Sequence, residues 1–192
     1  MNNSFQYTIG SSISLSGIGL HTGCKTSITF KPSGENSGIS FIRTDIKNKP
    51  IINARIDNVV STLRGTSIGD GDIIIHTIEH ILAAISALGI DNIIIEIDSS
   101  EPPIMDGSSK TFCEALLEAD RIKQKSEKNC IIINDPISYI DKENDIELHA
   151  LPSSKSRITY IMDYNTKIFG HQEFSVDCEK DQLLIDIMPA RT

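Results

Sequence analysis

Between Thr77 and Asp98 the apolar pattern changes from a helical period to an extended one within three residues. Ile78, Ile81, Leu82, Ile85 and Leu88 recur at helical spacing, with Thr77 placed as an N-cap and Gly89 as a stop. Asn92–Asp98 follows, an Asn-Ile-Ile-Ile-Glu-Ile-Asp run whose continuous isoleucines predict a buried strand. A buried strand beside an amphipathic helix needs a sheet layered against helices. The first turn of that helix carries Glu79 and His80, off the apolar stripe. At about 100° per residue His80 points away from the stripe, with Ala83, Ala84 and Ala87 around it. Such a small face suits close approach by another element. A carboxylate at a helix N-terminus is favoured in its ionised form, and an ionised Glu beside an imidazole suits metal-assisted hydrolysis. By itself the pair also reads as a solvated helix face. It is not an HExxH arrangement, because Ala83 and Ala84 stand where a second helical ligand would be.

The chain has 192 residues, room for one large or two small domains. It has no Trp and few aromatics, so aliphatic side chains must fill the core. A formal net charge of −8 argues against nonspecific binding to nucleic acid or anionic membrane. No segment has the apolar length of a membrane span, and Met1–Gly10 lacks the pattern of a signal peptide. Cys24, Cys113, Cys130 and Cys178 show no CxxC spacing, so reduced thiols in a cytoplasm are expected.

Short strand-like runs come first: Tyr7–Ile9, Ser12–Leu15, Thr26–Phe30, Ile39–Arg43, Ile51–Val60 and Asp72–His76. After the helix and the isoleucine strand, Ser99–Gly107 reads as a loop. A second helix is expected from Ser108 or Ser109, with Phe112, Ala115, Leu116, Ala119 and Ile122 on one face. The polar run Lys123–Asn129 reads as a linker. Strands resume at Cys130–Asn134, Ile137–Ile140, Ile146–His149 and Arg157–Asp163, and Lys180–Ile187 is a helical candidate. Ile28-Thr29-Phe30-Lys31-Pro32-Ser33, a turn and Ile39-Ser40-Phe41-Ile42 parallel Leu148-His149-Ala150-Leu151-Pro152-Ser153, a turn and Ile158-Thr159-Tyr160-Ile161. Duplication and chance both account for this. Under duplication the chain holds two similar α+β domains in tandem, residues 1–125 and 126–192, the second without its helix pair.

Several motifs occur in a fixed order: Ser16-Gly17-Ile18-Gly19-Leu20-His21-Thr22-Gly23, Arg55–Thr62, Arg64–Gly69, Thr77–Ala84, Leu88–Asn92 and Pro103-Ile104-Met105-Asp106-Gly107-Ser108. In this order and spacing they resemble the UDP-3-O-acyl-N-acetylglucosamine deacetylases, zinc amidases of bacterial lipid A synthesis. The resemblance extends to Ala190-Arg191-Thr192. It implies two similar α+β domains with the active site between them. It also implies Glu79 as general base, His80 as one of three Zn2+ ligands, and Thr192 as a hydrogen-bond donor near the developing oxyanion. His21 would lie close to the active site, and Thr62, Leu63 and Thr66 would border the substrate pocket. Asp106 and Ser108 read as structural, holding a turn and capping the second helix. The implied substrate is UDP-3-O-acyl-N-acetylglucosamine, the location cytoplasmic and the complete enzyme a monomer. An acyl-chain passage would come from an insert near Tyr160–Phe174.

The resemblance also implies an H-x-x-x-D pair of zinc ligands in the second domain. Here His149 is followed four residues later by Ser153, and His171 by Ser175. One His cannot hold zinc tightly, because such sites use three or four protein ligands. The expectation is a chain that stops inside its second domain, binds zinc weakly and is inactive alone. The alternatives are a non-catalytic interaction module and the leading part of a deacetylase–dehydratase fusion. Strands without covering helices would leave apolar surface exposed and favour aggregation.

Overall fold

A computed structural model describes residues 5–164, 166–168 and 170–191. The architecture is α+β, in two compact units: the described residues of Met1–Glu127 with Lys180–Thr192, and Lys128–Glu179.

The first unit is organised by the isoleucine strand. Its main sheet has the order β2 (Ile13–Ile18), β3 (Lys25–Pro32), β9 (Ile93–Ile97), β4 (Ile39–Arg43), β5 (Ile51–Asn53). Strand β9 pairs antiparallel with β3 and parallel with β4. In register across four strands, Phe30, Ile95, Phe41 and Ile52 form a fully buried row. Side chains alternate between faces with period two, so Ile94 and Glu96 face the other way and are only half-buried. Lys31 meets Glu96 there at 2.7 Å. The continuous isoleucine run is therefore buried on one face rather than on both.

Helix α1 (Glu79–Ala87) and helix α2 (Lys110–Glu118) pack on this core. On α1 the stripe residues Ile81 and Ile85 are buried, and so are His80, Ala84 and Ala87, so the small face is packed as well. Gly89 ends the helix at φ +62, a conformation that costs glycine little. Thr77 is not the cap: it lies at φ +54, and Ile78 occupies the N-cap position without a side-chain bond. On α2, Phe112, Ala115 and Leu116 are buried. Ile122, expected on the same face, belongs instead to the next strand and is exposed.

Two smaller sheets complete the unit. Strands β6 (Val59–Ser61), β7 (Ser67–Asp70) and β8 (Ile73–Ile75) form one. A 3-10 turn at Ile56–Asn58 breaks the expected long strand Ile51–Val60. In the other, β1 (Phe5–Ile9) pairs antiparallel with β10 (Arg121–Glu127). The polar run expected as a linker is thus a strand as far as Glu127. Its cations cover aromatic rings: Arg121 lies over Tyr7 and Lys123 over Phe5. Gln124 accepts a 2.7 Å bond from the buried Asn92, which also donates to Gln6 and accepts from the Gly38 N–H. Lys180–Gln182 makes one α-turn (α3) and continues as a π-helical stretch, Leu183–Ile187. Met188 is buried in the core, and its carbonyl accepts a 3.1 Å bond from the Ser109 N–H.

The second unit holds two antiparallel hairpins, β11 (Ile137–Asp141) with β12 (Ile146–Ala150), and β13 (Arg157–Asp163) with β14 (His171–Asp177). Cys130–Asn134, expected as a strand, carries none. Tyr139 opposite Leu148 and Tyr160 opposite Phe174 make each hairpin apolar on one face, yet all four are exposed. Val176 is the buried hydrophobic residue among the described ones of this unit.

Candidate functional site

The start of α1 is gripped from both sides. Glu79 is its first residue, and its Oε2 accepts a 2.8 Å bond from the Thr66 N–H. The Thr66 carbonyl accepts from the Ile78 N–H at 3.2 Å. One residue of the turn before β7 therefore fixes both the helix start and its first carboxylate. Gly65 precedes it at φ +151, in a region open essentially to glycine alone. A Cβ at Gly65 would stand 3.1 Å from Glu79 Oε1. The turn can approach the carboxylate this closely because Gly65 has no side chain.

His80 follows Glu79 and is buried. Of the expected pocket-bordering residues, Thr66 touches Glu79 directly and is half-buried. Thr62 and Leu63 project from the same turn and are exposed, Leu63 at 82%. His21 is also exposed, but its backbone is held: its N–H donates to both carboxylate oxygens of Glu101, at 3.1 and 3.0 Å. The Thr22 N–H donates to Glu101 at 2.8 Å, and the Thr77 hydroxyl donates to it at 2.8 Å. Burial by itself would raise the Glu101 pKa. The bonds from Thr22, His21 and Thr77 outweigh it and hold the carboxyl below its ordinary value. Sequence reasoning misses Glu101, which reads as part of a loop. A signal is nonetheless present: an acidic residue shortly after a buried strand and directly before Pro102-Pro103.

Asp106 and Ser108 hold the turn, as expected, but the N-cap position of α2 belongs to Ser109, without a side-chain cap bond. Asp106 Oδ1 accepts from the Ser108 N–H and hydroxyl at 3.1 and 2.7 Å, and the Ser108 hydroxyl oxygen accepts from the Lys110 N–H at 3.2 Å. Arg191 reaches Asp106 at 3.5 Å. Thr192 lies outside the described residues. A shallow cleft of about 380 Å³ runs beside this turn, lined by Gly17, Ile18, Ile104 and Met105 among others, and does not reach Glu79 or His80.

The family model described as UDP-3-O-acyl N-acetylglycosamine deacetylase matches residues 6–192. The chain belongs to this deacetylase family. Among curated relatives it is 45% identical to the Bifunctional enzyme LpxC/FabZ of Chlorobaculum tepidum, over 97% of this chain and 40% of that protein. It is 41% identical to the UDP-3-O-acyl-N-acetylglucosamine deacetylase of Thermodesulfovibrio yellowstonii, over 98% of this chain and 63% of the relative. The deacetylase of Trichormus variabilis is 33% identical, with 68% of its length covered. The chain thus spans about two fifths to two thirds of the deacetylase-family relatives it matches.

Among the described residues no three His, Cys, Asp or Glu side chains come together as a metal-holding group. No described helix is long and apolar enough to cross a membrane.

Proposed function

We propose that the whole protein carrying this chain hydrolyses the N-acetyl group of UDP-3-O-acyl-N-acetylglucosamine. The products are acetate and the free 2-amino sugar nucleotide, in a cytoplasmic step toward lipid A. The observation that carries this reading is the Glu79 carboxylate, fixed by the Thr66 N–H beside the buried His80 at one helix start. Support comes from the family match over residues 6–192.

An acetamide is a poor electrophile, and water is a poor nucleophile near neutral pH. A bound Zn2+ would supply Lewis acidity and a more acidic water. In this chain His80 is the residue assigned to it, and no three His, Cys, Asp or Glu side chains among the described residues come together to hold it. Glu79 acts as general base, taking the proton from the attacking water. The Thr66 bond uses one carboxylate oxygen and sets the direction of the other. Thr192 donates to the developing oxyanion. His21 lies near the reacting group, and Thr62, Leu63 and Thr66 border the substrate. The complete enzyme acts as a monomer.

The test is Glu79→Ala in the whole protein. Turnover should fall by about 10²- to 10⁴-fold with zinc content unchanged. Loss of zinc together with activity would count against Glu79 as the base. The 192-residue chain alone should bind less than one zinc per molecule and show no turnover. Stoichiometric zinc with turnover in it would overturn the assignment of ligands. The Chlorobaculum relative, named as bifunctional, favours a second form of this reading, with the deacetylase joined to a dehydratase in one longer protein.

A further inference from the structure

We propose that Glu101 is a positioning residue, coupling the His21 loop to the helix start that carries Glu79 and His80. The proposal rests on the deacetylase reading for its bearing on catalysis, and on three observations for the coupling itself.

The Glu101 side chain is fully buried, at 0% exposure. A buried carboxylate is costly unless donors surround it. Here the donors come from two separate places in the chain, the N–H groups of His21 and Thr22 and the hydroxyl of Thr77. The loop is shaped to receive the carboxylate. A Cβ at Gly19 would stand 2.6 Å from Glu101 Oε2 and 2.5 Å from Thr22 Oγ1, closer than real atoms approach. Glycine at this position leaves room for both the Thr22 hydroxyl and the Glu101 carboxylate.

Thr77 provides the third observation. It is β-branched and buried, yet lies at φ +54. A residue held in that region is strained and persists only where its surroundings over-determine it. The bond to Glu101 is part of what holds it. Thr77 stands two residues before Glu79, so its backbone dihedrals set the direction in which α1 leaves. Moving the carboxylate would release the loop and reorient the helix start together.

The experiment is amide hydrogen exchange and steady-state kinetics on the whole protein, comparing wild type with Glu101→Gln, Thr77→Val and Thr77→Ser. Gln keeps the size of Glu101 but turns an NH2 toward N–H donors. It should raise exchange about 10-fold or more at both His21–Thr22 and Glu79–Ile81, and lower kcat by a similar factor with KM little changed. Thr77→Val keeps the branched shape and loses only the hydroxyl. It should raise exchange at Glu79–Ile81 and lower kcat, while Thr77→Ser restores both. A rise at only one segment in Glu101→Gln, or wild-type kcat in Thr77→Val, would overturn the coupling. Should Glu101→Gln fail to fold, the Val and Ser pair decides alone. Wild-type protein without turnover would sink the deacetylase reading, and the exchange pattern would still judge the coupling.

Discussion

Phe41 and Tyr160 occupy matched positions in the two similar sequence stretches, each in mid-strand, yet Phe41 is 0% exposed and Tyr160 64%. Ile28 and Leu148 differ in the same way, at 0% and 67%. In the first unit β9 enters between β3 and β4, joining them into one sheet, and α1 and α2 cover its face. In the second, β12 and β13 belong to separate two-stranded sheets. Local sequence makes an amphipathic strand in both places. Burial is decided by elements distant in the chain.

The comparison breaks most sharply through core substitutions. Phe41→Ala should destabilise the first unit by about 3–5 kcal/mol, while Tyr160→Ala should change stability by no more than about 0.5 kcal/mol. Urea melts of the two variants test this, and equal losses would mean that Tyr160 is buried in solution. Thiol chemistry comes next. Burial pushes the Cys113 thiol up to about 11, whereas Cys24 and Cys130 are exposed. A disulfide reagent near pH 8 should label the exposed pair about a hundredfold faster than Cys113. Rapid labelling of Cys113 would show that the α2 side of the core opens readily.

Acid should act mainly on the first unit. The folded-state pKa of Glu101 is depressed, so its contribution is present above the unfolded value, about 4.3, and is lost as pH falls through the lower folded value. Asp45 adds to this, held down chiefly by its bonds from Arg43. Glu101→Gln should flatten the loss of stability below about pH 4.5, and an unchanged slope would remove Glu101 from the account. The smallest effect is expected at Asp177 in the second unit, whose pKa is lowered mainly by its bond from the exposed Arg157. Asp177→Asn should move the melting midpoint little, since its partner Arg157 is exposed and ion pairs at the surface contribute weakly. The exposed apolar hairpin faces also predict concentration-dependent association, which sedimentation would reveal.

Several elements are legible in the residue pattern alone. Ile39–Arg43 and Arg157–Asp163 form strands with the bounds that their patterning predicts, and both α1 and the stop at Gly89 follow from period and glycine chemistry. These depend on neighbours in the chain. Strand β10 is not legible in that way, because Arg121–Glu127 has no apolar face, and its partner β1 lies more than a hundred residues away. Thr77 departs from its expected role for the same kind of reason. Threonine is a good cap by local preference, but here a distant carboxylate takes its hydroxyl.

The candidate site divides along the same line. Glu79 and His80 stand out by residue type, position on a helix and the motifs around them. That the carboxylate is held by Thr66, that Gly65 must lack a side chain, and that Glu101 ties His21 to Thr77 all require the fold. The sequence by itself determined where most of the strands and helices form and which family the motifs resemble, since periodicity and motif spacing are properties of neighbouring residues. Only the tertiary structure decided which strands are covered and which donors meet at one buried carboxylate. Those contacts join segments up to 80 residues apart, a separation that no local pattern encodes.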